Sequence, residues 1–170
     1  MAASLIEAKD KFIDTWGTLG SNWGINRTMA QIHALLLVSA VPLTTEDVME
    51  HLGISRGNAN MNLRELLAWG LIHKTLVQGE RKEYFVAEKD MWEVSRCILR
   101  ERKKREFDQA HKVIVQLAQF KPTNQEPESE AFKNTMSEML QMAELVERVL
   151  SKLAIVERSW IFKKLLKLFV

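Results

Sequence analysis

Cysteine is almost missing from this 170-residue chain: Cys97 stands alone, which excludes an internal disulfide framework and fits a reducing compartment. Long apolar runs are missing too. The longest, Ala34 to Val41, is broken by Ser39 and is far too short to cross a bilayer. Glu7, Lys9, Asp10 and Lys11 interrupt the N-terminal stretch where a secretory signal would need an unbroken apolar core. The expectation is a soluble cytoplasmic protein with no stable membrane association. Catalytic signatures are equally scarce. There is no P-loop, Gly-x-Gly-x-x-Gly, His-Glu-x-x-His or Cys-x-x-Cys. His33, His51, His73 and His111 are scattered without metal-ligand spacing, and no clustered acids in a loop suggest a general acid–base pair. We therefore expect no catalytic residues, no metal, no cofactor and no enzyme activity.

A strong charge of one sign is also lacking. With 24 basic and 22 acidic residues the net charge is only +2, so composition alone does not announce a nucleic-acid binder. Residues 26–89 are neutral as a segment, and any DNA-reading surface there must gather its cations on one face. The 46% hydrophobic and 27% charged content is that of an ordinary globular protein.

What is there is helical periodicity around one small β-prone region. Leu5, Phe12, Trp16 and Leu19 predict an amphipathic helix over residues 3–19, with Gly17, Gly20 and Gly24 as its fraying end and a connector. Asn26 is a suitable N-cap for a helix reaching Ser39, stopped by Pro42. Thr44 and Asp47 have capping-box spacing, Gly53 permits a tight turn, Ser55 caps a further helix, and Gly70 ends it. That order is helix, short turn, helix. The β-prone runs Leu71 to Val77 and Tyr84 to Ala87 then flank a basic, glycine-containing tip, the form of a wing. A long helix is expected from Asp90 to about Phe120, a loop over Lys121 to Ser129, and a last helical region from about Glu130 to Phe169. The fold class is mostly α with a small β-hairpin wing: a winged helix-turn-helix plus N- and C-terminal helices.

The helix after Ser55 carries the chemistry. Ala59, Leu63 and Leu66 recur on its inward side, while Arg56, Gly57, Asn58, Asn60, Met61 and Arg64 share the outward side with Asn62 at the boundary. No acid falls between Arg56 and Arg64. Arginine can fork to guanine O6 and N7, and asparagine to adenine N6 and N7. Each good bidentate pair gives about 1–3 kcal/mol of discrimination. Three asparagines within five residues lower helix stability without a structural gain, which argues against a merely solvated face. At the hairpin tip Arg81 and Lys82 suit phosphate or minor-groove contacts, with Lys74 on the leading strand beside them.

The run Gly53-Ile-Ser-Arg-Gly-Asn-Ala-Asn-Met-Asn-Leu-Arg-Glu-Leu, then Trp69-Gly70-Leu71, then Gly79-Glu-Arg-Lys-Glu-Tyr-Phe, closely resembles the GbsR branch of the MarR-type transcriptional regulators over about residues 24–92. The resemblance implies a recognition helix from Ser55 to Arg64 and a wing around Arg81 and Lys82. It further implies a homodimer on a palindromic operator in double-stranded DNA, acting as a repressor. The matching division is 1–25 for an N-terminal dimerisation helix and connector, 26–89 for the DNA-binding domain and 90–170 for a C-terminal helical dimerisation region. The alternative is a winged helix that has become a protein–protein docking module.

Four features stand outside that scheme. Arg100 to Arg105 interrupts the long helix with charge, either beside the wing or as a solvated face. Cys97 is read as a buried, inert thiol rather than a redox sensor. Trp16, Trp23 and Trp92 would border a pocket for a small-molecule effector, choline-like by the aromatic-cage chemistry of quaternary ammonium, or else simply pack in the core. The segment Trp160 to Val170 is amphipathic and basic, suiting a dimer helix or a membrane surface.

Overall fold

The computed structural model describes residues 4–121 and 126–155. It divides into two compact units, one ending at Cys97 and one beginning at Ile98. Among the described residues no helix is long and apolar enough to cross a membrane.

The first unit is built around its second helix. Helix α1 covers Leu5–Asn22 and α2 covers Arg27–Val38, followed by α3 (Thr45–Leu52) and α4 (Arg56–Trp69). An antiparallel hairpin, β1 (Ile72–Thr75) and β2 (Tyr84–Ala87), comes next, and α5 starts at Met91. Asn26 caps α2 by accepting a hydrogen bond from the Met29 backbone N–H at 3.1 Å. Seven of the helix's residues, among them Met29, Ile32, Leu35 and Leu36, are buried, because α1, α4 and β2 all pack on it. A helix covered on so many sides must be apolar nearly all round, which is why its sequence reads as a run rather than a stripe.

Gly17 and Gly20 do not mark a fraying end, as the sequence suggested. Helix α1 continues to Asn22, and both glycines are buried in it. A Cβ on Gly20 would stand 2.6 Å from the Cβ of Ala30 on α2. Close approach of two helix backbones sets the residue type there, a constraint between elements that local propensity cannot display.

The hairpin pairs Ile72 with Ala87 and Thr75 with Tyr84 at its two ends. Leu43, just before α3, exchanges both backbone hydrogen bonds with Phe85, at 3.0 and 2.8 Å, and so ties the helix-turn-helix to the hairpin. After β2, the Lys89 ammonium donates to the carbonyls of Leu36, Leu37 and Ser39 at 2.9, 2.6 and 3.2 Å. A cation at a helix C-terminus is favourable, and here it joins α2 to the hairpin's exit. Burial lowers the Lys89 pKa. His33 lies beneath the same region, 2% exposed, and burial followed by the Lys89 charge pushes its pKa down to about 4. It is neutral at neutral pH.

The second unit is helical. The chain stays helical from Met91 to Ala118, but not as one α-helix. Helix α5 (Met91–Arg102) gives way to a π turn over Lys103–Phe107 before α6 (Asp108–Ala118). A π turn holds one residue more than an α turn and so rotates everything after it about the axis. This accounts for two apolar stripes that fall out of phase along the sequence, Met91, Val94 and Ile98 before the turn and Phe107, Ala110, Ile114 and Leu117 after it. Lys103 in the π turn reaches Asp108 at 2.7 Å and Glu147 at 3.0 Å, and these partners raise its pKa. Helix α7 runs over Pro127–Ile155, opening with proline where its missing N–H costs nothing. The helix therefore begins inside the expected loop, while the continuation toward Phe169, including Trp160 to Val170, lies outside the described residues. Helix α7 packs on α6 and buries Ala143, while Met139, Met142, Leu145 and Val149 are 45–62% exposed on it.

Two stability predictions follow from the first unit. Gly20→Ala should lower the stability measured by urea denaturation by about 1–3 kcal/mol, because Ala30 is fixed to its helix backbone. Gly17→Ala meets only the movable chains of Gln31 and Arg27, and a helix-propensity gain of about 1 kcal/mol offsets that crowding. It should stay within about 1 kcal/mol of wild type. Equal losses at the two positions would refute the close-approach account. The second prediction concerns pH. The folded pKa of His33 is depressed below its ordinary 6.5, so the stability it contributes is complete above pH 6.5 and is lost as pH falls toward 4. The full span is about 3 kcal/mol by linkage. A His33→Leu variant should show a flatter stability profile between pH 6.5 and 4; an unchanged profile would assign that pH dependence elsewhere.

Candidate nucleic-acid interface

The geometry of this surface begins with two caps and two left-handed glycines. Thr44 and Asp47 form a reciprocal capping box at the start of α3, with bonds of 2.8 and 3.2 Å between side chains and backbone N–H groups. The Thr44 N–H, and then its hydroxyl, hold the Asp47 carboxyl below its ordinary pKa. Gly53, at φ +62°, ends α3 in a conformation that side chains other than glycine disfavour. Ser55 then accepts from the Asn58 N–H at 3.3 Å and starts α4, and Gly70, at φ +75°, ends it. Three residues, 53 to 55, separate the two helices.

Helix α4 is anchored through Ala59, Leu63, Leu66 and Trp69, all at most 4% exposed. That anchoring decides what is left outside. Arg56, Gly57, Met61 and Arg64 are exposed, and Asn58 and Asn60 are half-exposed. Nothing lies within 4 Å of the position a Gly57 Cβ would take, so the fold itself does not require glycine there. Asn62 is the correction. At 1% exposure it is buried, and its side-chain amide donates to the Asn58 carbonyl at 2.9 Å and to Asn58 Oδ1 at 2.7 Å. It belongs to the helix's interior and cannot reach a base. Its signal was available: Asn62 neighbours Leu63 and lies three residues after Ala59, on the inward arc. The same bond orients the Asn58 side chain.

At the wing, Glu80 N–H donates to the Val77 carbonyl at 3.1 Å around Gly79, which takes φ +87°. Arg81 and Lys82 follow this turn and are exposed. Lys74 is exposed as well, but it is paired with Glu83 at 2.5 Å across the hairpin. Arg56 is likewise paired, with Glu46 of α3 at 2.7 Å. The Glu46 carboxyl is held below its ordinary pKa, chiefly by its own backbone N–H in the first turn of α3 and next by Arg56, with Lys82 acting in the same direction. Lys82 also acts on Asp47. The acids opening α3 thus face the first residue of α4 and one wing cation. Sequence reasoning missed Glu46. It lies ten residues from Arg56, and only the angle of the helix-turn-helix brings the two together.

The other features separate. Cys97 is 2% exposed, its thiol within hydrogen-bonding range of the Gly70 carbonyl and of Glu93. Trp16 is half-buried and packs with the rings of Phe12 and His33 at 5.5 and 6.2 Å. Trp23 and Trp92 keep about half their surface exposed, at 50% and 51%. Among the described residues no three His, Cys, Asp or Glu side chains are grouped to hold a metal ion.

Comparison with known proteins agrees with this architecture. A solved structure described as a transcriptional regulator superimposes at a TM-score of 0.62 with 20% identity, covering 85% of this chain and 94% of that one. At that identity the likeness is one of fold. A mutant of S. aureus MepR bound to an oligodeoxyribonucleotide matches at 16% identity over 79% of this chain and 89% of its own, with a TM-score of 0.40. S. aureus MepR in its DNA-binding conformation matches at 18% identity, over 79% of this chain and 92% of its own, with a TM-score of 0.39. Superpositions that loose do not bear on the arrangement of elements. No curated protein matches in sequence. The MarR family model matches residues 23–83, the span that holds α2, the helix-turn-helix and the hairpin up to the start of β2. Over residues 23–83 the chain is thus similar to the MarR family, and the helices and hairpin there have the winged helix-turn-helix fold.

Proposed function

We propose that residues 26–89 bind duplex DNA sequence-specifically and that the chain is a cytoplasmic transcriptional regulator, working as a homodimeric repressor on a palindromic operator. The observation that carries this reading is the outward face of α4. Arg56, Gly57, Asn58, Asn60, Met61 and Arg64 are all at least partly exposed on a helix whose inner side is locked into the core. Gly57 adds to it. A glycine in a helix costs stability, no neighbour here demands one, and a helix start without side chains lets a phosphate approach free N–H groups. In this reading Ser55 to Arg64 form the recognition helix. Arg64 and the half-exposed asparagines read bases, Met61 meets a thymine methyl, and Arg81 and Lys82 hold the backbone from the wing, with Lys74 behind them.

The dimer rests on the apolar residues that single units leave exposed. Leu5 and Ile6 are each 72% exposed on α1, and Met139, Met142, Leu145 and Val149 lie outward on α7. A second copy covering them would set two recognition helices about 34 Å apart, one turn of DNA. The motif run from Gly53 to Phe85 favours the GbsR branch, and choline or glycine betaine is the first effector class to try against Trp23 and Trp92. Protein docking is the second reading, favoured by the even charge balance of residues 26–89.

The test uses a duplex enriched by the wild-type protein from a random pool. Arg64→Ala should weaken binding to that duplex by about 1–3 kcal/mol and relax sequence preference. Lys82→Ala should weaken enriched and random duplexes alike and flatten the salt dependence by about one unit of slope. Gly57→Ala should raise thermal stability, by up to about 1 kcal/mol, while weakening DNA binding. Equal effects of Arg64→Ala on both duplexes would contradict base reading by α4, and a wild-type protein that enriches no sequence would favour docking.

A further inference from the structure

We propose that Glu46 is a specificity-determining residue of the DNA-binding surface, a carboxylate that withholds Arg56 from indiscriminate phosphate contact. The inference rests on the DNA-binding reading above and deepens it. Glu46 is an exposed residue of the first turn of α3. Its carboxylate lies 2.7 Å from a terminal nitrogen of the Arg56 guanidinium, and both side chains are largely exposed, at 48% and 62%. An exposed ion pair of this kind adds little to stability, commonly less than about 1 kcal/mol. An acid in the first turn of α3 has a local reason, its bond to its own backbone N–H, but the reach of that acid to the first residue of the recognition helix adds little to stability.

Its effect on an approaching polyanion is different. A phosphate meets the positive N-terminal end of α4, where Arg56 is the first helical residue and Gly57 leaves the backbone bare. Glu46 opposes that approach twice, by repelling the phosphate and by holding the guanidinium that would neutralise it. The Lys82 charge, arriving from the wing, falls on the same carboxylate. Random-sequence DNA offers only phosphates, so it must break the pair for a single ionic contact. A matched sequence is held by base contacts from Arg64 and the asparagines with the Glu46–Arg56 pair left intact, so the penalty falls on random DNA alone. An electrostatic element that repels the wrong partner is a recognised route to discrimination.

The experiment compares wild type, Glu46→Gln, Arg56→Ala and the double variant. Each is titrated with a random duplex pool and with the duplex that wild type enriches from it, at two salt concentrations, after thermal melts establish equal folding. Removing one charge near a phosphate should tighten Glu46→Gln binding to the random pool about fivefold, with a salt slope steeper by about one. Binding to the enriched duplex should change less than twofold, and the tightening on the pool should vanish in the Arg56→Ala background. Tightening that persists without Arg56 overturns the inference in favour of bulk charge. Weaker binding of Glu46→Gln to both duplexes overturns it in favour of a simple positioning role, and no change on either duplex removes any role. A wild-type protein that enriches no sequence overturns the DNA reading and this inference together, whereas clear enrichment with an inert Glu46→Gln overturns this inference alone.

Discussion

The burial of α4's inner side against the central helix α2 is the constraint on which the rest of the domain depends. Ala59, Leu63 and Leu66 are 0–2% exposed, and Ile32 and Leu36 on α2 are equally hidden. A helix has only one rotation about its axis that hides those positions together, so the same packing that stabilises the domain determines which side chains face outward. The caps contribute by placing the helix along its axis. Gly53 and Ser55 determine where α4 begins, and Gly70 where it ends, so Arg56 falls at the first turn and Arg64 near the middle. The bridge between Leu43 and Phe85 and the Lys89 contact with the end of α2 extend the same rigidity to the hairpin. The base reading proposed for these short polar side chains needs such a frame, because a small displacement loses a bidentate hydrogen bond.

Charge is organised by pairing rather than by excess. Arg56 with Glu46 and Lys74 with Glu83 are compensated, whereas Arg64 and Arg81 stand exposed with no ion pair among the described residues. A neutral segment can thus still present an uneven surface. In the proposed function electrostatic attraction to DNA is then modest, and affinity would come from base contacts and from the joining of two copies. The apolar residues exposed on α1 and α7 supply a physical reason for that joining, since surfaces of this kind cost little to bury against a second copy.

Much of this was legible in the sequence, for reasons particular to each element. The capping residues Asn26, Thr44, Asp47 and Ser55 and the glycines 53 and 70 are local signals, complete within four residues, and the structure uses each as its chemistry suggests. The hairpin was legible because β-prone runs flank a turn glycine. What escaped was set between elements. Gly17 and Gly20 read as helix breakers until Ala30 is found against one of them. The π turn at Lys103–Phe107 left only an indirect trace, two apolar stripes out of phase. Glu46 carried no mark, because its partner is ten residues away and on another helix. Asn62 was misplaced for a subtler reason: a polar residue on the inward arc was read by its type when its spacing from Ala59 and Leu63 was the stronger indicator.

The central claim is that the outward face of α4 reads DNA sequence from a fixed frame. It is tested most directly by titrating the wild-type protein with its enriched duplex and with a scrambled duplex of equal length and composition, at low and physiological salt. The account predicts that the enriched duplex binds more tightly at both salts and that its advantage survives as salt weakens the phosphate contacts common to both, so that scrambled DNA falls below detection first. Identical affinities that fall together with salt would contradict sequence reading by α4 and leave only a cationic surface that holds any duplex.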